Sequence, residues 1–409
     1  MITLSEPITV ALRILILTHR VPFPQNGGYP IVVGNTIKGL IAQGHQVSLI
    51  SINVKNQSDK VHEPDALLSK ISYTEYAIDT RLTAVEFVSN LFTKNPYNID
   101  KYYNAGFEKL LVQNLKDNAY DIIQLEGLFV APYLDAIRKS TRAKVIYRAH
   151  NIEHLVWKRL ARQKGDPVKK WYLNQLARRV KRYELEMLAQ FDGIVAFTPQ
   201  DEDAIRSYGI SLPVQVLPIG IDLAMYRPVT EKTEPTSLFF LGSLDWLPNR
   251  EGIEWFLDNF HKEIVDGELK VKFYLAGNAI PEDFDEYEVP GKVFIQGEVD
   301  DALEFVNSKS VMIVPMLTGG GMRVKIVEGM AMQKCIISTA LGAEGINFAD
   351  GKNIMIANDA DEFYHAITRC MADEEHCRTI GRNARLLVEQ QHDVQAVTQG
   401  LLSFYATII

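Results

Sequence analysis

The residues best suited to chemistry lie in one run, VPMLTGGGMRVKIVEGMAMQKCIISTALGAEGI, at positions 314–346. The run holds a triple glycine, two cations and a carboxylate, in the order Gly319, Gly320, Gly321, Arg323, Lys325 and Glu328. Glycines let a backbone turn present its N–H groups to an anion at the start of the next helix. Arginine and lysine add positive charge for a phosphate, and a carboxylate can accept hydrogen bonds from vicinal hydroxyls. The order therefore predicts a site for a sugar nucleotide, which offers both groups.

A purely structural alternative exists for the same run. The dinucleotide fingerprint G-x-G-x-x-G is missing, so the glycines alone also fit a flexible turn. Lys325 and Glu328 are three positions apart and could pair on a helix surface, which contributes only about 0.2–0.5 kcal/mol. Two cations and a carboxylate set between apolar strands favour the ligand site.

The composition indicates a soluble globular protein. A chain of 409 residues is too long for one ordinary core and predicts two domains of roughly 200 residues each. Apolar residues make up 47% and charged residues 23%, which is typical of a packed fold. The formal net charge of −8 argues against broad nucleic-acid binding, which leaves a basic footprint.

Cysteine spacing and hydropathy indicate a cytoplasmic protein. Cys335, Cys370 and Cys377 show no C-x-x-C motif and no metal-ligand spacing, so reduced thiols are expected. The first apolar segment, Ile14 to Leu17, is too short for a signal-peptide core, and no run of about 18 apolar residues occurs. We therefore expect neither export by that route nor a membrane span.

Short apolar runs separated by helix-length segments predict buried parallel strands in an α/β architecture. One set covers 13–18, 46–52, 120–126, 144–150, 193–197 and 214–218, and a second covers 237–242, 271–277, 292–297, 310–315, 334–339 and 353–357. Each set predicts one doubly wound sheet, with domains at 1–218 and 219–392. Whether the C-terminal helix, 393–409, returns to the first domain is left open. Because ligands bind beyond the carboxyl ends of such strands, we expect the two sheets to face an interdomain cleft.

A basic segment covers residues 157–182. Its cations are Lys158, Arg159, Arg162, Lys164, Lys169, Lys170, Arg178, Arg179, Lys181 and Arg182. Most such runs form a solvated helix face. Because Trp157, Trp171 and Tyr172 interleave with the charges, peripheral contact with an anionic membrane, at the inner membrane face, is the alternative.

Four ordered motifs, spread over most of the chain, resemble those of glycosyltransferase family 4. They are PFPQNGG with GLIAQGHQVSLIS, then VLPIGIDLAMYRP, then FLGSLDWLPNREG, and finally GGGMRVKIVEGMA with STALGAEGI. Within the family, the chain resembles bacterial enzymes of polysaccharide assembly that carry a GS-x-DW-x-PN motif. The resemblance implies the GT-B fold of two Rossmann-like domains and a glycosyl or hexosyl transferase that uses a nucleoside-diphosphate sugar as substrate. It implies neither a cofactor nor a metal.

The resemblance also implies roles for residues of the second domain. The family usually has two glutamates seven residues apart, of which Glu328 matches the second, the ribose ligand, while Gly320 occupies the first position. Its usual arginine falls at Ser243, and its usual lysine falls near Arg250 and Glu251. These departures leave the stereochemical outcome and the donor sugar open.

With those positions changed, Arg323 and Lys325 are expected to neutralise the diphosphate during catalysis. Backbone N–H groups of Gly321, Met322 and Arg323 are expected to assist. The full set of predicted donor-binding residues is Ser243, Gly319, Gly320, Gly321, Met322 and Glu328.

In the first domain, His150 ends a strand at the expected cleft edge, as a histidine does in many family members. The resemblance implies that it hydrogen-bonds the reacting sugar or phosphate, and a structural donor is the alternative. Glu126 ends the neighbouring strand and is a candidate to hold an acceptor hydroxyl. Gly27 and Gly28 would let the first loop approach the diphosphate or the acceptor.

Two D-x-D sequences, at Asp201 with Asp203 and at Asp283 with Asp285, have the pattern that other glycosyltransferase folds use for a metal. The first opens a predicted helix, where capping explains it, and the second lies in an acidic loop. We expect no metal at either.

The predicted function is transfer of a sugar, with retention as the family's general outcome, to a glycan or lipid-linked acceptor. Fixed donors aimed at the leaving phosphate would be the main catalytic requirement. Two alternatives stay open: a sugar-nucleotide epimerase of similar fold, and a non-catalytic nucleotide-sugar-binding protein.

Overall fold

The chain folds into two compact units of parallel sheet and helix. The structure is a computed structural model that describes residues 10–25, 27–54, 66–81, 95–163, 166–229 and 233–409. Unit 1 comprises the chain up to Gly220 together with Val394–Ile409, and unit 2 is Ile221–Asp393.

Unit 1 is built on a seven-stranded parallel sheet with the order β3-β2-β1-β4-β5-β6-β7. Its strands are β1 Arg13–Thr18, β2 Gln46–Val54, β3 Ser72–Ile78, β4 Ile122–Glu126, β5 Lys144–Ala149, β6 Gly193–Ala196 and β7 Val214–Val216. From β1 the chain adds strands toward one edge of the sheet, up to β3, and from β4 it adds strands toward the other edge. This order is that of doubly wound nucleotide-binding sheets.

The helices of unit 1 connect these strands. They are α1 Gly28–Ala42, α2 Tyr97–Asp100, α3 Ala105–Asp117, α4 Leu134–Ser140, α5 Glu153–Gln163, α6 Pro167–Leu188, α7 Pro199–Ser207 and α13 Val394–Ile408, with 3₁₀ turns at Leu68–Lys70 and Leu128–Tyr133. Polar caps start several of them. Asn104 accepts from the Gly106 and Phe107 N–H groups, and Asp166 does the same for α6, where Pro167 takes a first-turn position that needs no N–H.

Both faces of the unit 1 sheet are buried. Ile14 and Ile16 of β1 pack in one apolar layer, with α1 and α13, whereas Leu15 and Leu17 pack in the opposite one. Such a sheet selects continuous apolar strands rather than alternating ones. The C-terminal helix is held on this sheet by Tyr405, whose hydroxyl donates to Oε1 of Gln124 on β4.

Unit 2 repeats the plan with a six-stranded parallel sheet in the order β10-β9-β8-β11-β12-β13. Its strands are β8 Glu234–Leu241, β9 Lys272–Ala276, β10 Val293–Gly297, β11 Lys309–Val314, β12 Cys335–Ser338 and β13 Met355–Ile356. Its helices are α8 Leu247–Asp266, α9 Ala302–Ser308, α10 Val324–Ala331, α11 Ala360–Ala372 and α12 Glu374–Gln391, with a 3₁₀ turn at Glu282–Tyr287.

The predicted α/β fold with two parallel sheets is confirmed, and every predicted apolar run overlaps a strand of the expected sheet. The sequence did not predict β3, SYTEYAI. It pairs only with β2 at the sheet edge, and most of its side chains are partly exposed, so it lacks the apolar run on which the prediction relied. Within the described residues, no helix is long and apolar enough to cross a membrane.

Candidate active site

The glycine loop of unit 2 links the end of β11 to the start of α10. Gly319 and Gly321 have φ of 103° and 76°, in the left-handed region that favours glycine. A Cβ at Gly319 would lie 2.8 Å from Nη2 of Arg323, closer than a Cβ approaches a nonbonded heavy atom. The loop shape therefore requires glycine at this position, beyond any need for flexibility.

Arg323 immediately precedes α10, and its side chain folds back over this loop. Its Nη1 donates to the carbonyl oxygens of Gly320 and Gly321, the latter at 2.9 Å. The guanidinium carbon lies 5.1 Å from the centroid of the Trp246 ring, within the range of a cation–π contact. Arg323 is 5% exposed. Its positive charge is thus fixed between the glycine loop and the start of α10.

Lys325 lies two residues further along, in the first turn of α10, and is held by the GS-x-DW-x-PN segment. Its Nζ donates to Oδ1 of Asn249 at 3.0 Å and lies 3.9 Å from the centroid of the Phe240 ring. The ammonium occupies the space beside Gly242, where a Cβ would come within 2.4 Å of it. Burial, with a further contribution from the Arg323 charge, lowers the pKa of Lys325 to about 7.

The same segment places Ser243 close to Lys325. Nδ2 of Asn249 donates to the Ser243 carbonyl at 2.7 Å, so this asparagine joins the two predicted site residues. The Ser243 hydroxyl donates to Oδ1 of Asp245 at 2.6 Å, and the Asn278 carbonyl oxygen lies 3.2 Å from it. The side chain is therefore engaged within its own turn.

Glu328 projects from α10 and is paired with a tyrosine. The Tyr226 hydroxyl donates to Oε1 of Glu328 at 2.5 Å. Burial raises the pKa of Glu328, while the Tyr226 hydrogen bond and the Lys325 charge oppose that rise. Nη1 of Arg385 donates to the carbonyls of Tyr226 (2.6 Å) and Ala331 (2.7 Å), which ties the tyrosine segment to the end of α10.

The residues near the family's usual lysine position have other partners. Arg250 pairs with Glu254 at 2.6 Å and with Asp283 at 2.9 Å, both on the surface. Oε2 of Glu251 accepts from the Thr318 hydroxyl at 3.1 Å, just before the glycine loop.

Unit 1 holds a second cluster at the ends of β4 and β5. Nε2 of His150 lies 2.6 Å from Oε2 of Glu126, so the carboxylate fixes the orientation of the imidazole. Burial lowers the pKa of His150, although Glu126 partly opposes this. The imidazole is therefore predominantly neutral near pH 7.

Glu126 is completely buried. Its Oε1 accepts from Nε2 of Gln124 at 2.5 Å, with Nη1 of Arg148 3.5 Å away. Burial alone would raise its pKa, but Arg148 and His150 bring about a net lowering, so it remains a carboxylate. These contacts make Glu126 a positioning group for His150, and its binding of an acceptor hydroxyl stays a prediction.

Tyr29 brings the first loop to this cluster. Gly27 precedes α1 and Gly28 begins it. The next residue, Tyr29, donates its hydroxyl to the Glu126 carbonyl at 3.3 Å and places its ring centroid 4.7 Å from that of His150. Gly27, Gly28, Glu126 and His150 are thus brought together in unit 1.

The two D-x-D sequences have structural roles in the described residues. Asp201 lies in the first turn of α7, where its carboxylate accepts from the Thr198 hydroxyl and its N–H donates to that oxygen. Asp283 pairs with Arg250. Neither pattern, as placed, shows carboxylates converging on one point.

Sequence reasoning did not assign Tyr226, Trp246, Asn249, Tyr29 or Arg385 to the sites. The first three lie in motifs quoted above, so a signal for them existed. Their contacts join residues more than 70 positions apart, however, and only the fold shows which side chains they reach.

Two family models match most of the chain. The model described as Glycosyltransferase Family 4 matches residues 26–225, and the model described as Glycosyl transferases group 1 matches residues 235–373. The two matches fall in successive parts of the chain, one around the His150 cluster and one around the glycine loop.

Known proteins similar to the chain cover almost all of it. An uncharacterized 44.6 kDa protein in the cps region of Klebsiella pneumoniae is 24% identical, over 94% of this chain and 97% of that protein. Sucrose-phosphate synthase from Thermosynechococcus elongatus has a TM-score of 0.72 at 17% identity, covering 97% of this chain and 98% of that one. HepE from Anabaena, solved in complex with UDP, has a TM-score of 0.66 at 15% identity, covering 97% and 100%. These structural similarities show a shared fold.

Proposed function

We propose that this chain, which belongs to the glycosyltransferases of group 1 and family 4, transfers a sugar from a nucleoside diphosphate to a glycan or lipid-linked acceptor in cell-surface polysaccharide assembly. One observation carries the donor assignment. A glycine loop, two fixed cations and a carboxylate paired to a tyrosine follow the end of β11, the kind of edge where such sheets bind ligands.

The donor contacts follow from the chemistry of these groups. Glu328 accepts hydrogen bonds from the ribose hydroxyls, and the diphosphate lies on the N–H groups of Gly321, Met322 and Arg323 at the start of α10. Lys325 supplies the second charge. The UDP bound to HepE favours UDP as the nucleotide.

Catalysis depends on stabilising the leaving phosphate. As the glycosidic bond breaks, negative charge develops on the β-phosphate, and preorganised donors lower the barrier most. The pKa of Lys325 is about 7 in the absence of donor. The negative charge of the bound phosphate raises this pKa, so the side chain becomes a charged ammonium. We assign retention to the reaction, with the leaving phosphate assisting the incoming hydroxyl.

His150 is assigned to the reacting sugar or phosphate as a neutral hydrogen-bonding group. Glu126 acts through it by holding Nε2 at 2.6 Å. Gly27 and Gly28 are assigned to the same acceptor or phosphate side of the site, because Tyr29 fixes their loop against His150 and Glu126.

A polysaccharide setting and a membrane surface fit other features. The similar protein from a cps region supports the polysaccharide context. In unit 1, the beginning of α6 exposes Val168 and Trp171, 73% and 64% accessible, with Lys169 and Lys170 exposed between them. Apolar side chains among lysines suit docking on anionic lipids, which would place the enzyme at the cytoplasmic face of the inner membrane.

The experiment that tests the function follows UDP release from UDP-sugars, with and without a bacterial lipid and glycan extract as acceptor. A glycosyltransferase predicts UDP release that rises when acceptor is added, together with labelled sugar in the acceptor fraction. Release of UDP unaffected by acceptor, or rearranged donor sugar, would favour an epimerase. Binding without any donor loss would favour a non-catalytic protein.

A further inference from the structure

The three cysteines of the chain converge in the core of unit 2. Cys335 begins β12, Cys370 lies on α11 and Cys377 lies on α12. All three are free thiols and buried, and their Sγ atoms lie within 4.8 Å of one another. Because the sequence contains only three cysteines, its whole thiol content is in this cluster.

The spacing of one sulfur pair in the cluster matches that around a metal ion. With a metal–sulfur distance of about 2.3 Å, two thiolates on a tetrahedral Zn²⁺ lie about 3.8 Å apart. The Cys335 and Cys370 sulfurs are 3.7 Å apart. The Met355 thioether sulfur, another soft donor, lies 3.3 Å from Sγ of Cys370. Plain core packing of small apolar thiols is the alternative, but it does not require all the sulfurs to meet at one point.

We propose that Cys335, Cys370 and Cys377 bind one thiophilic d¹⁰ cation, Zn²⁺ or Cu⁺, with Met355 as a fourth ligand. Thiolate and thioether ligands select these ions over Mg²⁺ and Ca²⁺. Because a thiol must lose its proton to bind the ion, binding strengthens as the pH rises.

The site is structural and separate from the donor loop. Cys335 pairs with Val311 in the strand ladder, whereas the glycine loop follows the far end of β11. The ion would join β12 to α11 and α12, and α12 carries the Arg385 that holds Tyr226. Metal binding is thus expected to stabilise unit 2 against unfolding.

The test is a titration of the full-length, reduced, metal-stripped protein with Cd²⁺, followed by ultraviolet thiolate-to-metal charge transfer. Since no other cysteines exist, the signal reports this cluster alone. The proposal predicts saturation at one ion per chain and a raised melting temperature. Competition by Zn²⁺ and by Cu⁺ then shows which ion the site prefers.

Variants on two different helices keep the test decisive if one of them misfolds. Cys370→Ala and Cys377→Ala should each weaken Cd²⁺ binding at least about tenfold, with metal-free circular dichroism confirming that they fold. If one variant unfolds, the other and the wild-type stoichiometry decide. Charge transfer that appears only after denaturation, or affinity unchanged in a folded variant, would overturn the proposal.

Discussion

Tyr226 and Glu328, 102 positions apart in the chain, form a hydrogen bond of 2.5 Å between the phenol and the carboxylate. Tyr226 comes from the segment that opens unit 2, and Glu328 comes from the helix after the glycine loop. The tyrosine fixes one carboxylate oxygen and helps to keep the carboxylate charged in a buried setting. Under the proposed function, this prepares Glu328 to accept hydrogen bonds from the ribose of the donor.

Replacing Tyr226 with phenylalanine should weaken binding of UDP-glucose about tenfold, since a hydrogen bond to a charged group contributes roughly 1.5–3 kcal/mol. The pKa of Glu328 should rise further without its partner, so the loss should grow as the pH falls from 7 to 6. Calorimetry at both pH values measures this. Tyr287→Phe, which removes a surface bond to Asp258, is the matched control. If wild type and Tyr226→Phe bind UDP-glucose equally well at pH 7 and at pH 6, Tyr226 does not act on Glu328.

Donor binding should depend on pH through Lys325. Its pKa is about 7 in the free protein, so above pH 7 the side chain is mostly a neutral amine. The amine must then take up a proton when the diphosphate binds. Affinity for UDP-glucose, whose diphosphate does not titrate here, should fall by up to about tenfold per pH unit above 7. Lys325→Arg stays charged and should give a flat profile. Identical slopes in both proteins would rule out Lys325 as the source.

The sequence specified the sheets well because buried parallel strands read as continuous apolar runs, as in RILILT for β1 and SVMIVP for β11. It also singled out the glycine loop as the candidate donor site, where glycines, cations and carboxylate are neighbours in the chain. It could not identify contacts created by the fold. Asn249 reaches Lys325 from 76 positions away, and spacing alone gave no hint that three cysteines meet.

His150→Ala should lower turnover about 10- to 100-fold and change donor affinity little, because the side chain is assigned to the reacting groups. UDP release in the presence of acceptor extract gives kcat, and calorimetry gives the donor affinity. His261→Ala, which removes an imidazole of unit 2 that is hydrogen-bonded to the Tyr287 carbonyl, serves as control. Turnover equal to wild type would leave His150 with a structural role.

Trp171→Ala should reduce binding to vesicles containing anionic lipid about tenfold. Burial of the exposed indole in the bilayer would contribute roughly 1.5–3 kcal/mol to binding, and the variant lacks this contribution. Co-sedimentation with phosphatidylglycerol vesicles measures the change, and added salt should weaken the wild-type binding as well. The matched control is Leu386→Ala, an exposed apolar residue of unit 2 that is 53% accessible. Wild-type protein that stays in the supernatant would contradict membrane docking.

Under the proposed function, unit 2 binds a nucleotide sugar through Glu328 and the glycine loop. Thermal unfolding with UDP, GDP, ADP and their common sugars tests it most directly, because a ligand that binds only the folded state raises the melting temperature. We predict a rise with UDP and its sugars that is lost in Glu328→Ala and kept in Glu254→Ala, which removes an exposed carboxylate paired with Arg250. No rise with any nucleotide at millimolar concentration, or the same rise in Glu328→Ala, would show that Glu328 and the glycine loop do not form a donor site.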